Sequence, residues 1–166
     1  MERLISVIGG HRAEPEILQE AEKLGRGLAE RGLVLVCGGL GGVMEAACRG
    51  AKEAGGKTIG ILPGANAAEA NRWVDISLPT DIGLARNAIV ARAGEAVIAL
   101  DGSYGTLSEI AFALNYGSRV IGIRTWKIDG VRSAADAEEA LKLLDRVLSS
   151  PRRGSAPRGR TPFRGR

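Results

Sequence analysis

Aromatic side chains are scarce in this sequence, at 4% of its 166 residues. So few rings exclude the extended stacking surface with which proteins bind single-stranded nucleic acid. There is one histidine, and the only cysteines, Cys37 and Cys48, do not form a Cys-x-x-Cys pair. Because a zinc site takes several such ligands at characteristic spacings, the sequence predicts no metal site.

Long apolar runs are also missing. No segment approaches the ~20 apolar residues that a membrane-spanning helix requires, and the first residues do not have the pattern of a signal peptide. We therefore expect a cytoplasmic protein that has no membrane partner and keeps its thiols reduced.

Basic charge is concentrated at one end of the chain. The net charge is +4, but of the 23 basic residues only 17 lie in residues 1–149, together with all 19 acidic residues. The segment 150–166 is rich in Pro, Gly, Ser and Arg, so we predict a disordered tail. The slightly acidic remainder predicts no nucleic-acid partner, except through the tail. The six arginines of the segment 150–166 are Arg152, Arg153, Arg158, Arg160, Arg164 and Arg166.

Short apolar runs alternate with helical patterns through residues 1–149, and the chain contains 24 glycines. This alternation predicts one α/β domain with a Rossmann-like, open, mostly parallel sheet and helices on both faces. Helices are expected over 82–93 and 136–148, among others, and a small hairpin or loop over 126–130. The predicted strands are 4–8, 33–36, 57–62, 74–78, 96–100 and, as the last one, 119–123.

One stretch has the order strand, small-residue loop, helix: Val97 to Ile110. The first N–H groups of a helix lack internal partners and favour an anion. Glycines at 102 and 105 allow a ligand to approach the backbone, and two hydroxyls are available as hydrogen-bond donors. The sequence therefore predicts a phosphate site formed by Gly102, Ser103, Gly105 and Thr106.

A second glycine loop follows the predicted strand 33–36 and leads directly into a helix. Four glycines in five positions exceed what a turn alone needs, so we predict a second cradle for phosphate or base. Glu45, in the first turn of that helix, either binds a ligand hydroxyl or only complements the helix dipole. The glycines are Gly38, Gly39, Gly41 and Gly42.

These motifs carry a family resemblance. The segment from Asp101 to Glu109 resembles the Pro-Gly-Gly-x-Gly-Thr-x-x-Glu signature of the Lonely Guy phosphoribohydrolases, which are related to the DNA-processing protein A fold. Gly38 to Glu45 resembles the upstream Gly-Gly-x-x-Gly-Val-Met-Glu element of that family. Arg86 and Asn87 stand where those enzymes have Arg-Lys, a version typical of a branch similar to molybdenum-cofactor carrier proteins.

The resemblance implies roles for individual residues. Glu109 would act at the ribose anomeric carbon, where a carboxylate stabilises an oxocarbenium-like state. Arg86 would bind phosphate through its planar guanidinium. Asn87 would give the site one positive charge fewer than the Lys of those enzymes. Two alternatives stay open: Thr106 and Glu109 have capping-box spacing, and Arg86 could be a solvated helix residue.

Two departures from the signature bear on function. Asp101 places a carboxylate beside the anion site, and Ser103 replaces a glycine. One hypothesis is an enzyme that binds a nucleotide-like ligand and hydrolyses the N-glycosidic bond of a nucleoside 5′-monophosphate. The alternative is a non-catalytic carrier or sensor for a nucleotide or a molybdopterin-type cofactor. Neither requires a further cofactor, and the resemblance implies a homodimer or higher homo-oligomer.

Overall fold

The computed structural model describes residues 2–150, and the predicted tail lies outside them apart from its first residue. The strands are β1 (Leu4–Gly9), β2 (Val34–Cys37), β3 (Thr58–Leu62), β4 (Ile76–Pro79), β5 (Ala96–Leu100), β6 (Arg119–Ile123) and β7 (Val131–Ala134). The α-helices are α1 (Pro15–Glu30), α2 (Val43–Glu53), α3 (Asn87–Ala93), α4 (Tyr104–Asn115) and α5 (Ala137–Ser149). Two short 3₁₀ turns cover Ala67–Glu69 and Gly83–Arg86.

The seven strands form one sheet in the order β4-β3-β2-β1-β5-β6-β7. Every neighbouring pair is parallel, which confirms the predicted Rossmann-like α/β fold. The strand order reverses between β1 and β5, and α/β proteins bind ligands at the carboxyl ends of strands near such a point. The predicted glycine loops follow β2 and β5, so both lie at this edge.

Each face of the sheet has its own apolar core. Ile98 and Leu100 of β5 pack with α1, α2 and α5 on one face. Val97 and Ala99 of the same strand pack with α3 and α4 on the other. The two cores explain why β2 and β5 are apolar at every position.

Two predicted elements are wrong. Arg119–Ile123 is not the last strand, because β7 pairs with β6 at the sheet edge. Its sequence, Val-Arg-Ser-Ala, contains no apolar run because Arg132 and Ser133 are exposed. The predicted helix over 82–93 is also divided into the 3₁₀ turn Gly83–Arg86 and α3, and Arg86 is the N-cap residue of α3.

Among the described residues no helix is long and apolar enough to cross a membrane.

Glycines allow α1 and α2 to pack with their backbones in contact. A Cβ atom on Gly50 would lie 1.9 Å from the carbonyl oxygen of Glu22, and one on Gly25 would lie 1.9 Å from that of Ala47. Neither backbone oxygen can move without displacing its helix. The distance between α1 and α2 therefore depends on the two glycines.

We predict that Gly50→Ala lowers the free energy of unfolding by about 1–3 kcal/mol, because the methyl group forces the helices apart. Denaturant unfolding measures the loss. Gly105→Ala is the control, since it adds a methyl group in α4 whose nearest heavy atom is 4.0 Å away. Equal stability of Gly50→Ala and the wild type would contradict the packing argument.

Candidate functional site

Three chain segments converge at the carboxyl edge of the sheet. The 3₁₀ turn before α3 ends at Arg86, the loop after β2 begins at Gly38, and the first turns of α4 contain Glu109. Arg86 donates from Nη2 to the carbonyl oxygen of Gly38 at 3.2 Å, and its Nη1 lies 3.5 Å from Oε1 of Glu109. The structure thus brings together the two residues to which the sequence assigned catalysis.

Arg86 is buried, with 5% of its surface exposed, so it is not a solvated helix residue. Its Nη1 also donates to Oδ1 of Asn87 at 2.7 Å. Its Nε is the only buried side-chain nitrogen or oxygen within residues 2–150 that has no hydrogen-bond partner. An unsatisfied buried donor costs about 1–3 kcal/mol, and such groups are rare in folded proteins.

Glu109 is also buried, at 6% exposure. It lies inside α4, whose N-cap residue is Ser103, so Thr106 and Glu109 do not form the capping box. Burial raises the pKa of Glu109 to about 7, although the charge of Arg86 acts in the opposite direction. Burial likewise lowers the pKa of Arg86, while Glu109 favours its charged form.

Desolvation therefore outweighs attraction for both partners of this ion pair. At 3.5 Å the contact is long, and a long contact recovers little of the cost of removing two charges from water. Paired groups with pKa values perturbed by burial are characteristic of functional sites. The pair therefore marks a candidate functional site.

Asn87 connects Arg86 to the start of α4. Its Nδ2 donates to Oγ of Ser108 at 3.1 Å and lies 3.5 Å from the carbonyl oxygen of Gly105. The hydroxyl of Ser108 in turn donates to the same carbonyl oxygen at 2.7 Å. Asn87 thus orients Arg86 rather than reaching a ligand freely. No local sequence pattern indicates this role of Ser108, since its partner Asn87 lies 21 residues away in the sequence.

The predicted second cradle has structural reasons for its glycines. A Cβ atom on Gly38 would lie 2.4 Å from Nη2 of Arg86, so the guanidinium needs this glycine. Gly42 has a φ of +65° and lies against the backbone of Gly10 and His11. Gly38 and Gly42 therefore have packing and conformational reasons that require no ligand. Gly39, Gly41 and the partly exposed Glu45 lie in the same loop and the first turn of α2.

The first cradle is the loop before α4. Ser103 is exposed, and its side chain does not cap the helix. Thr106 is buried, and its side chain packs so closely on Gly102 that a Cβ there would lie 2.4 Å from it. The backbone N–H groups of the first turn, together with the Ser103 hydroxyl, are the donors that this loop offers an anion.

Asp101 is one of the two departures from the family signature. Asp101 lines a cavity of about 480 Å³ with Arg124 and residues 14–17 of α1 and its N-cap. Helix α1 packs on the opposite face of the sheet from α4. The cavity that Asp101 lines therefore lies on the α1 side of the sheet.

The cysteines are buried behind the second loop. Their Sγ atoms are 3.5 Å apart, a contact between positions 11 residues apart in sequence. Within residues 2–150 no group of three or more His, Cys, Asp or Glu side chains is placed to hold a metal ion.

The family follows from a sequence comparison. The model of the SLOG cluster4 family matches residues 2–149. The chain belongs to this family. The resemblance to the branch that contains molybdenum-cofactor carriers is thereby confirmed.

Individual proteins are similar to this chain in sequence and in structure. An Archaeoglobus fulgidus protein is 44% identical over 138 residues, which is 82% of this chain and 91% of that protein. The molybdenum cofactor binding protein of Rippkaea orientalis is 36% identical, with a TM-score of 0.85 over 90% of this chain and 99% of that one. The molybdenum cofactor carrier protein of Chlamydomonas reinhardtii is 33% identical, with a TM-score of 0.83 over 90% and 100%. DNA processing protein A of Streptococcus pneumoniae shares the fold, with a TM-score of 0.68. It is 23% identical, and the match covers 86% of this chain and 61% of that one.

We predict that the ionisation of Glu109 makes stability depend on pH. The folded protein keeps a proton that the unfolded chain releases between its ordinary pKa of 4.5 and about 7, so stability falls as pH rises through this range. The full cost is on the order of 3 kcal/mol and is reached above pH 7. Glu109→Gln removes this dependence.

Denaturant unfolding from pH 4 to 8 measures this effect. The unfolding free energy of Glu109→Gln minus that of the wild type should rise from pH 4.5 to 7 and then level off. Glu138→Gln, at an exposed position of α5, is the matched control and should follow the wild type. If Glu109→Gln also runs parallel to the wild type, Glu109 does not titrate as proposed.

Proposed function

We propose that this protein binds a phosphorylated pterin of the molybdenum-cofactor type and holds it without turnover. The observation that carries the proposal is the buried guanidinium of Arg86, whose Nε has no partner within residues 2–150. A phosphate group next to it would accept the missing hydrogen bond. The similarity to proteins described as binding or carrying the molybdenum cofactor supports the choice of ligand.

The proposed binding mode uses two sets of donors. Arg86 gives a planar, charged donor group suited to a phosphate, fixed in place by the carbonyl of Gly38 and by Asn87. The N–H groups at the start of α4 and the Ser103 hydroxyl supply further donors, and Gly102 and Gly105 leave the backbone accessible. The loop Gly38–Gly42 forms the opposite wall, and Glu45 is available to ligand hydroxyls.

Two features favour holding a ligand over cleaving it. Glu109 is buried against Arg86, and it would have to leave this partner to reach a sugar carbon. Asn87 replaces a cation of the phosphoribohydrolases and is engaged with Arg86 and Ser108. A site with one positive charge fewer binds the 5′-phosphate of a nucleotide less tightly.

A second candidate is the phosphoribohydrolase, and one observation favours it. Burial raises the pKa of Glu109 to about 7, which is the range in which a carboxyl group donates or accepts a proton efficiently at neutral pH. In this function Glu109 would act at the anomeric carbon while Arg86 holds the 5′-phosphate.

The carrier proposal predicts that the protein retains a pterin when it is produced in bacteria that make the molybdenum cofactor. The released pterin is oxidised to its fluorescent form and quantified per protein chain. Arg86→Lys should lower the retained amount at least about tenfold, because an ammonium cannot reproduce the fork of hydrogen bonds. Arg92→Lys, at an exposed arginine of α3, is the matched control. Equal retention by Arg86→Lys and the wild type would contradict the role of Arg86.

Turnover is tested separately. Wild-type protein incubated with a panel of nucleoside 5′-monophosphates should release no free base, as followed by chromatography. Release by the wild type that is abolished in Glu109→Gln would establish the hydrolase instead and make Glu109 its catalytic residue.

A further inference from the structure

Two aromatic rings lie in a stacked arrangement at the carboxyl edge of the sheet. Tyr104, the first residue of α4, has 83% of its surface exposed, and Trp126, which follows β6, has 39% exposed. Their centroids are 6.4 Å apart, and the ring planes differ by 27°. The whole sequence contains two tryptophans, two tyrosines and two phenylalanines, so this pair represents a large share of its aromatic surface.

The two loops that carry these rings are built alike. Strands β5 and β6 pair in register up to Leu100 and Ile123, and each is followed by a non-glycine residue in the left-handed region. These residues are Asp101, with a φ of 49°, and Arg124, with a φ of 47°. Such a conformation costs free energy and persists where the surrounding structure enforces it, often at functional sites.

Hydrogen bonds tie the two loops together. The hydroxyl of Thr125 donates to the carbonyl oxygen of Asp101 at 2.6 Å, and the Asp101 N–H donates to the carbonyl oxygen of Ile123 at 3.0 Å. These hydrogen bonds therefore fix the positions of the two loops that carry the rings relative to each other. A preorganised surface binds with a smaller loss of conformational entropy.

The position of the rings relates them to the proposed phosphate site. Tyr104 precedes Gly105, whose carbonyl oxygen lies 3.5 Å from Nδ2 of Asn87, the neighbour of Arg86. The same loops contribute Asp101 and Arg124 to the cavity of about 480 Å³. The Asp101 carboxylate can accept hydrogen bonds from the N–H groups at the edge of a heterocycle.

We propose that Tyr104 and Trp126 form a stacking platform for the flat, fused heterocycle of the ligand, a pterin or a purine. The inference rests on the proposed function, since it assigns the ring of the ligand whose phosphate Arg86 would hold. Stacking on aromatic side chains tolerates both heterocycles because each presents a π face.

Affinity measurements on ring variants test the platform. Calorimetry is done with guanosine 5′-monophosphate, neopterin and ribose 5-phosphate, which lacks a heterocycle. Tyr104→Leu, which keeps apolar area but has no π face, should weaken binding of the first two by about 5- to 100-fold. It should leave binding of ribose 5-phosphate unchanged, and Tyr104→Phe should bind all three like the wild type. Because Tyr104 is mostly exposed, neither substitution removes core packing.

Tyr116→Leu is the matched control. This tyrosine is also partly exposed and stacks on Phe112 with a centroid distance of 6.2 Å, but it lies at the other end of α4. It should bind all three probes like the wild type. Equal losses in Tyr104→Leu and Tyr116→Leu would contradict a specific platform.

Tryptophan fluorescence adds an independent readout. In a Trp73→Phe background Trp126 is the remaining tryptophan, and guanosine 5′-monophosphate should quench it while ribose 5-phosphate does not. Binding of guanosine 5′-monophosphate or neopterin that is unaffected by Tyr104→Leu would overturn the platform and leave the phosphate site standing. No binding of any probe to the wild type would overturn both.

Discussion

The ion pair between Arg86 and Glu109 is the interaction on which the candidate site depends. Both groups are almost completely removed from water, yet they meet only at 3.5 Å. Burial dominates the pKa of each partner, so the pair loses more by desolvation than it regains by attraction. An anion that binds at the unpaired Nε of Arg86 would add the interaction that the pair lacks. The free protein therefore carries a cost that ligand binding can reduce.

The fold places this pair at the carboxyl edge of the sheet. Parallel strands bring the loops after β2 and β5 to the same edge, and α3 and α4 pack on one face of the sheet, so Arg86 and Glu109 approach from adjacent helices. Gly38 has no side chain to displace the guanidinium. On the opposite face, close packing of α1 and α2 supports the same strands. The two buried side chains of the site are therefore held by packed elements.

Local patterns predicted most of this arrangement, and contacts between distant residues explain what they missed. The apolar run of β5 and the loop after it can be recognised from the sequence alone, and the family signature indicated Arg86 and Glu109. Strand β7 was missed because its exposed edge position permits Arg132 and Ser133. The capping-box alternative depended on where α4 begins, a detail of register that spacing alone does not fix. The contacts of Cys37 with Cys48, and of Tyr104 with Trp126, exist only once the strand order is known.

The most direct test of the account is the titration of the Glu109 carboxyl carbon by ¹³C NMR, with and without guanosine 5′-monophosphate. The account predicts that without nucleotide this carbon titrates near pH 7, since burial raises the pKa of Glu109 to about 7. It also predicts that the nucleotide raises the pKa of Glu109 further, because its phosphate competes for Arg86. A carbon that titrates near 4.5, with or without nucleotide, would contradict the claim that this buried pair is prepared for an anion.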